Sequence, residues 1–358
     1  MTVEREAAGQ TARLRERALP WLLMLAFALY FGWKLKGSHF DWAGLWTSVR
    51  AADVRLIALA ILVIYSNNLF RAMRWAVFLR PALRAAGMPR VPWWRLAGSQ
   101  FIGFAGLAIF GRIAELIRPL LVARATGLSF PSQVAVVTVE RVFDLAAFAL
   151  LFSLNLMLSP GLQGLPYLHR AGLSIAALTL ALCCFVAAIR LAGGTLAAAA
   201  GRLVGRMSEG AGTQVRQKIL TFRDGLNVID TPGDFARAAA LSVVLWLTIA
   251  ASYVLVLRAF PAPVHGLGVG HTVVMMGFSV AGSALPIPGG SGAWAGNSFA
   301  MTELFHLPRE IAVSAGLMVW LVTTMSVIPA GLIFAQIQGV SLRSVARRSE
   351  AEEELIGR

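Results

Sequence analysis

The chain has 358 residues, of which 57% are hydrophobic and only 14% are charged, and its mean hydropathy is +0.69. An ordinary soluble enzyme carries roughly a quarter charged residues, so this composition excludes one and indicates a polytopic membrane protein. Lysine and arginine outnumber aspartate and glutamate by 32 to 18, a net charge of +14. Such a surplus can reflect nucleic-acid binding, anionic lipid or membrane topology.

Apolar segments follow one another along the chain, and their lengths approach the roughly 20 residues that a helix needs to cross a bilayer. The mixed-charge residues 1–17 precede them without a cleavable signal peptide, so we expect a cytoplasmic N-terminal segment there. The third and seventh segments are rich in glycine and continue into polar helical patterns, which indicates broken segments at membrane depth. The eight segments are Leu19–Trp33, Leu56–Phe70, Leu96–Phe110, Val134–Leu158, Ala171–Ile189, Ala238–Leu257, Val269–Leu285 and Ile311–Ile337.

Basic residues indicate which segments cross the membrane. The linker 71–95 carries six arginines and no acidic residue, and a later linker and the tail 339–358 also carry several lysines or arginines. If the third and seventh segments crossed fully, the two basic linkers would lie on opposite sides, against the positive-inside bias. We therefore predict an all-α polytopic protein with about six full spans and two oppositely oriented re-entrant hairpins, about 95–125 and 269–305, in one transmembrane domain over 18–338. Both termini are then cytoplasmic, with the first hairpin opening to the cytoplasm and the second to the outside.

An internal similarity fits this topology. Gly103, which begins one Gly-Phe pair, lies 28 residues before Pro131. Gly277, which begins another, lies 31 residues before Pro308. In both places a long span precedes the broken hairpin and another span follows it. The pattern predicts an inverted repeat, an arrangement in which transporters place a site near the midplane and work by alternating access.

Two groups of ionisable residues lie in the first hairpin and in the span that follows it. A spacing of three places the first group along one side of a short helix, and a spacing of four places the two acids of the second group on one helix face. An arginine lies within reach of both acids. Each charge at this depth costs at least about 2.5–3.5 kcal/mol unless it is paired or hydrated. The groups are Arg112, Glu115 and Arg118, and Glu140, Arg141 and Asp144.

Two interpretations of these six residues remain open. They can neutralise one another and hold the hairpin against the span, or they can bind a lipid phosphate, because a guanidinium group donates two parallel hydrogen bonds to phosphate. A buried ion pair is often no more stable than an apolar replacement, so we favour substrate binding, with the carboxylates balancing charge or carrying protons. Asn67 and Asn68, also at membrane depth, are expected to form structural hydrogen bonds.

The second hairpin contains a motif of prolines and glycines. Prolines end the incoming helix, and glycines expose backbone N–H groups in a geometry that suits an anion. The motif predicts either a gate or ligand site or only a structural break, and its composition does not decide between them. Its residues are Pro286, Pro288, Gly289, Gly290 and Gly292.

The stretches 111–118, 127–129, 140–144 and 286–292 follow one another at the spacing seen in the lysylphosphatidylglycerol synthase transmembrane family, also called flippase-like. The chain resembles this family from about Leu19 to Gln336. The resemblance implies an integral inner-membrane protein similar to the flippase half of the multiple peptide resistance factor, which moves aminoacylated phospholipid between leaflets.

The chain departs from the family pattern at a few positions. Ala114 stands where the first motif has glycine, Ala295 where the family often has an acid, and Trp320 or a neighbour where it often has an arginine. The sequence also ends without the soluble aminoacyl-transfer domain of two-domain relatives. We therefore expect no synthesis of lysyl lipid by this chain.

These observations favour a membrane lipid translocase whose arginines hold the headgroup phosphate. The alternatives are a membrane enzyme acting on a lipid headgroup, with Glu115 or Asp144 as general base, and a non-transporting accessory protein of lipid or glycan assembly. We expect a membrane lipid as partner, no cofactor and no metal, and no nucleic acid, since the basic residues border apolar spans. A homo-oligomer is left open. Cys183 and Cys184 lie in an apolar run and are expected to be packing residues.

Overall fold

The computed structural model describes residues 42–110, 115–159, 166–205, 209–225, 231–285, 287 and 290–340. Every regular element in these ranges is helical, so the predicted all-α class is confirmed. The predicted first segment Leu19–Trp33 lies outside the described residues. The helices are α1 Trp42–Arg50, α2 Val54–Phe78, α3 Arg80–Ala85, α4 Trp93–Phe110, α5 Ile117–Thr126, α6 Phe130–Leu158, α7 Pro166–Gly205, α8 Glu209–Gly225, α9 Pro232–Ala259, α10 Val269–Ser283, α11 Gly292–Phe299, α12 Arg309–Trp320 and α13 Val327–Ile337, with π-helical turns at Ala300–Leu304 and Leu321–Met325.

Three helical stretches in the described part of the chain are long and apolar enough to cross a membrane. The first is Val54–Ala85, which comprises α2 and α3, and the second is α9. The third is Arg309–Ile337, in which a π-helical turn connects α12 to α13. Shorter apolar helices occur at Arg170–Ala181 and Val269–Ser283. A multi-pass membrane protein is therefore supported, while six spans, two re-entrant hairpins and the inverted repeat stay predictions.

The helices fall into two compact units that alternate along the sequence. Unit 1 is drawn from residues 1–66, 98–118 and 248–358, and unit 2 from residues 67–97 and 119–247. Helices α2, α4, α5 and α9 each contribute residues to both units.

Unit 1 contains the start of a helical turn-back between α4 and α5. A Cβ atom at Gly103 in α4 would lie 2.8 Å from the Cβ of Arg118 at the start of α5, so the missing side chain lets the two backbones approach. Helix α5 ends at Gly127, whose φ of +74° is favourable for glycine, and whose N–H donates to the carbonyl of Ala123. Ser129 at the N-cap and Pro131 in the first turn then begin α6.

A second turn-back in unit 1 joins α10 and α11 through glycine contacts. A Cβ atom on Gly282 would overlap the carbonyl oxygen of Gly292, and a Cβ atom on Gly292 would overlap that of Gly282. Farther along, Gly296 lies against the backbone of Phe278 in the same way. Such small-residue contacts hold helices together in lipid, where apolar side chains gain little from leaving the solvent.

Unit 2 is built around an apolar cluster in which the second half of α2 packs with α6, α5 and the start of α9. Trp75, Phe78 and Leu79 supply large, fully buried side chains from α2 and its end, and Val139 contributes from α6. The ring of Phe143 lies 5.6 Å from that of Phe78. This cluster fixes the facing sides of α2 and α6, on which the ionisable residues of unit 2 are found.

One boundary predicted from the sequence is wrong, and so is the expectation that Cys184 is a packing residue, since its side chain is exposed. The second apolar segment was expected to end at Phe70 and to lead into a basic linker, but α2 continues to Phe78. Arg71 and Arg74 therefore lie inside a candidate membrane span rather than in a cytoplasmic loop. Their charges do not end the helix because, as shown below, they are neutralised by side chains of α6.

Candidate functional site

Four ionisable side chains of unit 2, Arg71, Arg74, Glu140 and Asp144, form an arginine–carboxylate network. Arg74 is fully buried, and its two terminal nitrogens donate to different carboxylates: Nη1 to Asp144 Oδ1 at 2.6 Å and Nη2 to Glu140 Oε1 at 2.7 Å. Nη1 also donates to Ser242 Oγ, at 2.7 Å. Glu140 and Asp144 are themselves only 3% and 8% exposed.

Helical spacing explains how the sequence brings this network together. Arg71 and Arg74 are three residues apart on α2, and Glu140 and Asp144 are four apart on α6, so each pair occupies one helix face. The prediction that the two acids share a face is confirmed, since both bind Arg74. Ser242 reaches the same place from α9, and its hydroxyl donates to the carbonyl of Ala238, leaving its oxygen to accept from Arg74.

Arg71 is held less tightly than Arg74. Its Nη1 lies 3.5 Å from Glu140 Oε1 and 3.5 Å from Asp144 Oδ2, and its side chain is 14% exposed. Its Nε donates to Asn67 Oδ1 at 3.1 Å, while Asn67 Nδ2 donates to the carbonyl of Leu245 at 2.8 Å. The expected structural role of Asn67 is therefore confirmed: it orients Arg71 and ties α2 to α9.

With all four groups ionised, the network carries two positive and two negative charges, so its net charge is zero. Neutrality is what makes four ionised groups tolerable beside a core of Trp75 and Phe78, because an unpaired buried charge would change protonation state or destabilise the fold. In such surroundings the remaining electrostatic interactions are stronger than in water. A ligand charge arriving at Arg71 would therefore be felt by both carboxylates.

The third predicted residue of this span, Arg141, is placed differently. It lies on α6 between the two acids, but its side chain is exposed, while the carboxylates bind Arg71 and Arg74. Sequence reasoning missed these two arginines because it assigned them to a linker. The signal that was available is the run after Phe70, in which apolar residues continue at helical spacing through Phe78.

In unit 1, Arg118 forms a separate buried cluster at the start of α5. It is 6% exposed, its Nη1 donates to Gln100 Oε1 at 3.1 Å, and its guanidinium carbon lies 5.2 Å from the centre of the Phe104 ring. Because Gln100 accepts through its oxygen, its Nε2 points elsewhere, and this buried donor has no acceptor among the described residues. Helix α4 and the start of α5 therefore place an arginine and an amide donor side by side.

Of the other two site residues predicted for the first hairpin, Arg112 and Glu115, the structure describes only Glu115. Glu115 is half-buried, just before the start of α5. Arg112 and Ala114 lie outside the described residues, so the predicted flanking of Glu115 by two arginines stays a prediction.

The proline–glycine motif of the second hairpin is described at two of its predicted residues. Gly290 has a φ of +63°, a conformation that glycine adopts readily, and Gly292 begins α11 in backbone contact with Gly282. Gly292 thus has a packing role, and a gate role for the motif stays a prediction. Pro286, Pro288 and Gly289 lie outside the described residues.

No group of three or more His, Cys, Asp or Glu side chains in the described ranges is arranged to hold a metal ion. The chemistry that the site offers is instead that of guanidinium groups and carboxylates inside apolar helices. Arginine forks bind phosphate and carboxylate groups with paired hydrogen bonds, and carboxylates accept protons or balance charge.

Long apolar helices, glycine-mediated helix contacts and a neutral buried ionic network together define a multi-pass helical membrane protein. The family model described as "Lysylphosphatidylglycerol synthase TM region" matches residues 21–331. The chain belongs to this family, as the resemblance in the sequence implied. No curated protein sequence matches the chain significantly. Membership is consistent with a lipid-related function in a membrane.

Proposed function

We propose that this protein is a lipid translocase of the inner membrane, with both termini cytoplasmic, which moves a phospholipid or lipid-linked precursor between leaflets by alternating access. The observation that carries the proposal is the arginine–carboxylate network, whose two arginines lie in a helical stretch long and apolar enough to span a membrane. Ionisable groups at that depth are rare, and they commonly mark a substrate or proton pathway.

Within the network, Arg74 and Arg71 have different proposed roles. Arg74 forms two short ion pairs through its terminal nitrogens and holds α2 against α6. Arg71 is loosely paired and partly accessible, so a phosphate group can take the place of its two distant carboxylate contacts. Arg71 is therefore the proposed phosphate contact of unit 2.

Charge balance gives Glu140 and Asp144 a role in this cycle. A phosphate monoanion added to a neutral network leaves one excess negative charge, and a proton on either carboxylate restores neutrality. The coupled pair of acids thus links lipid binding to proton uptake. Asn67 keeps Arg71 oriented while its partners change.

In unit 1, Arg118 and Gln100 form a second proposed contact for a headgroup oxygen. The guanidinium group supplies charge, and the buried Nε2 of Gln100 supplies a further donor. Arg112, Glu115 and Arg141 stay in the proposal as headgroup or charge-balancing residues, on the strength of their positions in the sequence. The prolines and glycines of the second hairpin keep their proposed gating role.

The proposal is tested with purified full-length protein in vesicles that contain fluorescent phosphatidylglycerol, using dithionite to measure its exposure in the outer leaflet. We expect Arg71→Gln and Arg118→Gln to reduce the transfer rate at least tenfold. Arg95→Gln, an exposed arginine near the start of α4, serves as matched control and should transfer normally. Equal transfer by all four proteins would refute the site, and no transfer above protein-free vesicles would refute the function.

The same vesicles separate translocation from headgroup chemistry. A translocase leaves its lipid chemically unchanged, so mass spectrometry of the extracted lipid should give the starting mass. A modified headgroup that disappears in Asp144→Asn protein would instead identify an enzyme.

A further inference from the structure

A cavity of about 560 Å³ lies within unit 2, away from the arginine–carboxylate network. Its walls are the second half of α2 with α3, the first residues of α4 and the segment before them, and the start of α9. Three arginines line it, Arg80, Arg90 and Arg237, and the rest of the lining is apolar. The volume falls in the range of small-molecule sites, roughly 300–1,000 Å³.

The charged groups of this cavity gather at one end. Arg80 is near the C-terminal end of the span Val54–Ala85, and Arg237 is near the N-terminal end of α9. The carboxylate of Asp234 accepts from Arg80 and lies 3.5 Å from Arg237 Nη1, so these helix ends adjoin. We expect the ends of candidate spans to lie near the membrane–water boundary, which would place these arginines at headgroup depth.

The apolar part of the cavity extends from there towards the bilayer centre. Met73 lies seven residues before Arg80, and Val244 lies seven residues after Arg237, which at a rise of 1.5 Å per residue corresponds to about 10 Å along each helix. On α9, Leu241 lines the wall between Arg237 and Val244. The cavity is therefore amphipathic along its length, with cations at the boundary and apolar walls below them.

Among the residues that the structure describes, those that line or adjoin the polar end do not balance its charge. Arg80, Arg90 and Arg237 contribute three positive charges, and Asp234 contributes one negative charge. The side chain of Arg237 is 63% exposed, and its Nη1 lies 3.5 Å from Asp234 Oδ1, which is long for an ion pair. Its guanidinium group is therefore available to a ligand. Arg90 is exposed as well. An anion at this end is thus favoured by two net positive charges.

We propose that this cavity binds an anionic phospholipid, with its phosphate at the three arginines and the upper part of an acyl chain against Trp93, Leu241 and Val244. A free anion would leave the apolar walls unfilled, and an uncharged amphiphile would leave the excess positive charge of the arginines unbalanced. The site is independent of the proposed translocation, because it is a binding site in unit 2 that needs no transfer between leaflets.

Binding of fluorescent phosphatidylglycerol to the full chain in dodecyl maltoside micelles tests this site, because the detergent already competes as an uncharged amphiphile. The variant Arg90→Gln/Arg237→Gln should bind at least tenfold more weakly, since hydrogen bonds to charged groups are lost. Asp234→Asn should bind more tightly, because it removes the opposing charge. Arg95→Gln, outside the cavity lining, is the control and should bind as the native chain does.

Ala240→Phe provides a second variant that keeps every charge but fills the apolar wall, and it should also weaken binding. Phosphatidylcholine with the same chains and inorganic phosphate are the comparison ligands. Equal affinity for phosphatidylcholine, displacement by inorganic phosphate at millimolar concentration, or an equal loss in Arg95→Gln would each overturn the proposal. The translocation assay is separate, so its failure would leave this result unaffected.

Discussion

Replacement of Arg74 by methionine is expected to destabilise the fold strongly. Arg74 is fully buried, and its removal takes the two shortest ion pairs from Glu140 and Asp144, which are almost completely buried and lie 3.5 Å from Arg71. Removing one partner of a buried ion pair costs about 3–5 kcal/mol, because the remaining charge stays desolvated. The equilibrium constant for unfolding should therefore rise more than a hundredfold.

Arg71→Met is the matched comparison, since it removes the same chemical group from the same helix. Its ion-pair distances are 3.5 Å rather than 2.6–2.7 Å, and its side chain is 14% exposed. We expect a loss of only about 1–2 kcal/mol. Unfolding in mixed micelles by dodecyl sulfate, followed by tryptophan fluorescence and circular dichroism, gives both free energies.

The double variant Arg74→Met/Glu140→Gln examines the cause of the loss. It leaves one positive and one negative charge in the network, Arg71 and Asp144, so it restores neutrality without restoring the lost hydrogen bonds. Its destabilisation should fall short of the sum of the two single variants by about 0.5–3 kcal/mol. Additive losses, or a loss for Arg74→Met no larger than for Arg71→Met, would refute the electrostatic explanation.

Two further stability predictions concern unit 1 and use the same unfolding measurement. Gly282→Ala and Gly292→Ala should each cost about 1–3 kcal/mol of unfolding free energy through overpacking. Gly266→Ala is the control and should be close to neutral, because a Cβ atom there meets nothing within 4 Å. Equal effects of the three variants would contradict the close contact of Gly282 with Gly292. Tyr253→Phe should cost about 1 kcal/mol, since the buried Tyr253 hydroxyl donates to Ser279 Oγ at 2.7 Å, and an unchanged free energy would show that this bond contributes nothing.

Much of the fold could be predicted from the sequence, because apolar length and helical spacing are local properties. The segments beginning at Leu56, Ala238 and Ile311 appear within the three candidate spans. Helix ends were less predictable. The arginines Arg71 and Arg74 resemble those of a basic loop, and the acids that pair with them come 66–73 residues later in the chain.

The candidate site shows the same division between local and distant information. That Glu140 and Asp144 share a face follows from a spacing of four, and it was predicted. That they bind Arg74 rather than a neighbour on their own helix depends on how α2 packs against α6. This packing is fixed by apolar side chains such as Phe78 and Phe143, whose partnership no spacing rule reveals.

The two units hold their helices together in different ways, and the difference bears on function. In unit 1, α10 and α11 are joined by bare backbone at Gly282 and Gly292, with no charge involved. In unit 2, α2 and α6 already share a dry apolar cluster that includes Val139, yet they also carry four ionised groups. Adhesion is available without charge, and buried ion pairs add little stability over apolar packing, so this comparison supports the proposal that a ligand or proton exchanges with the network.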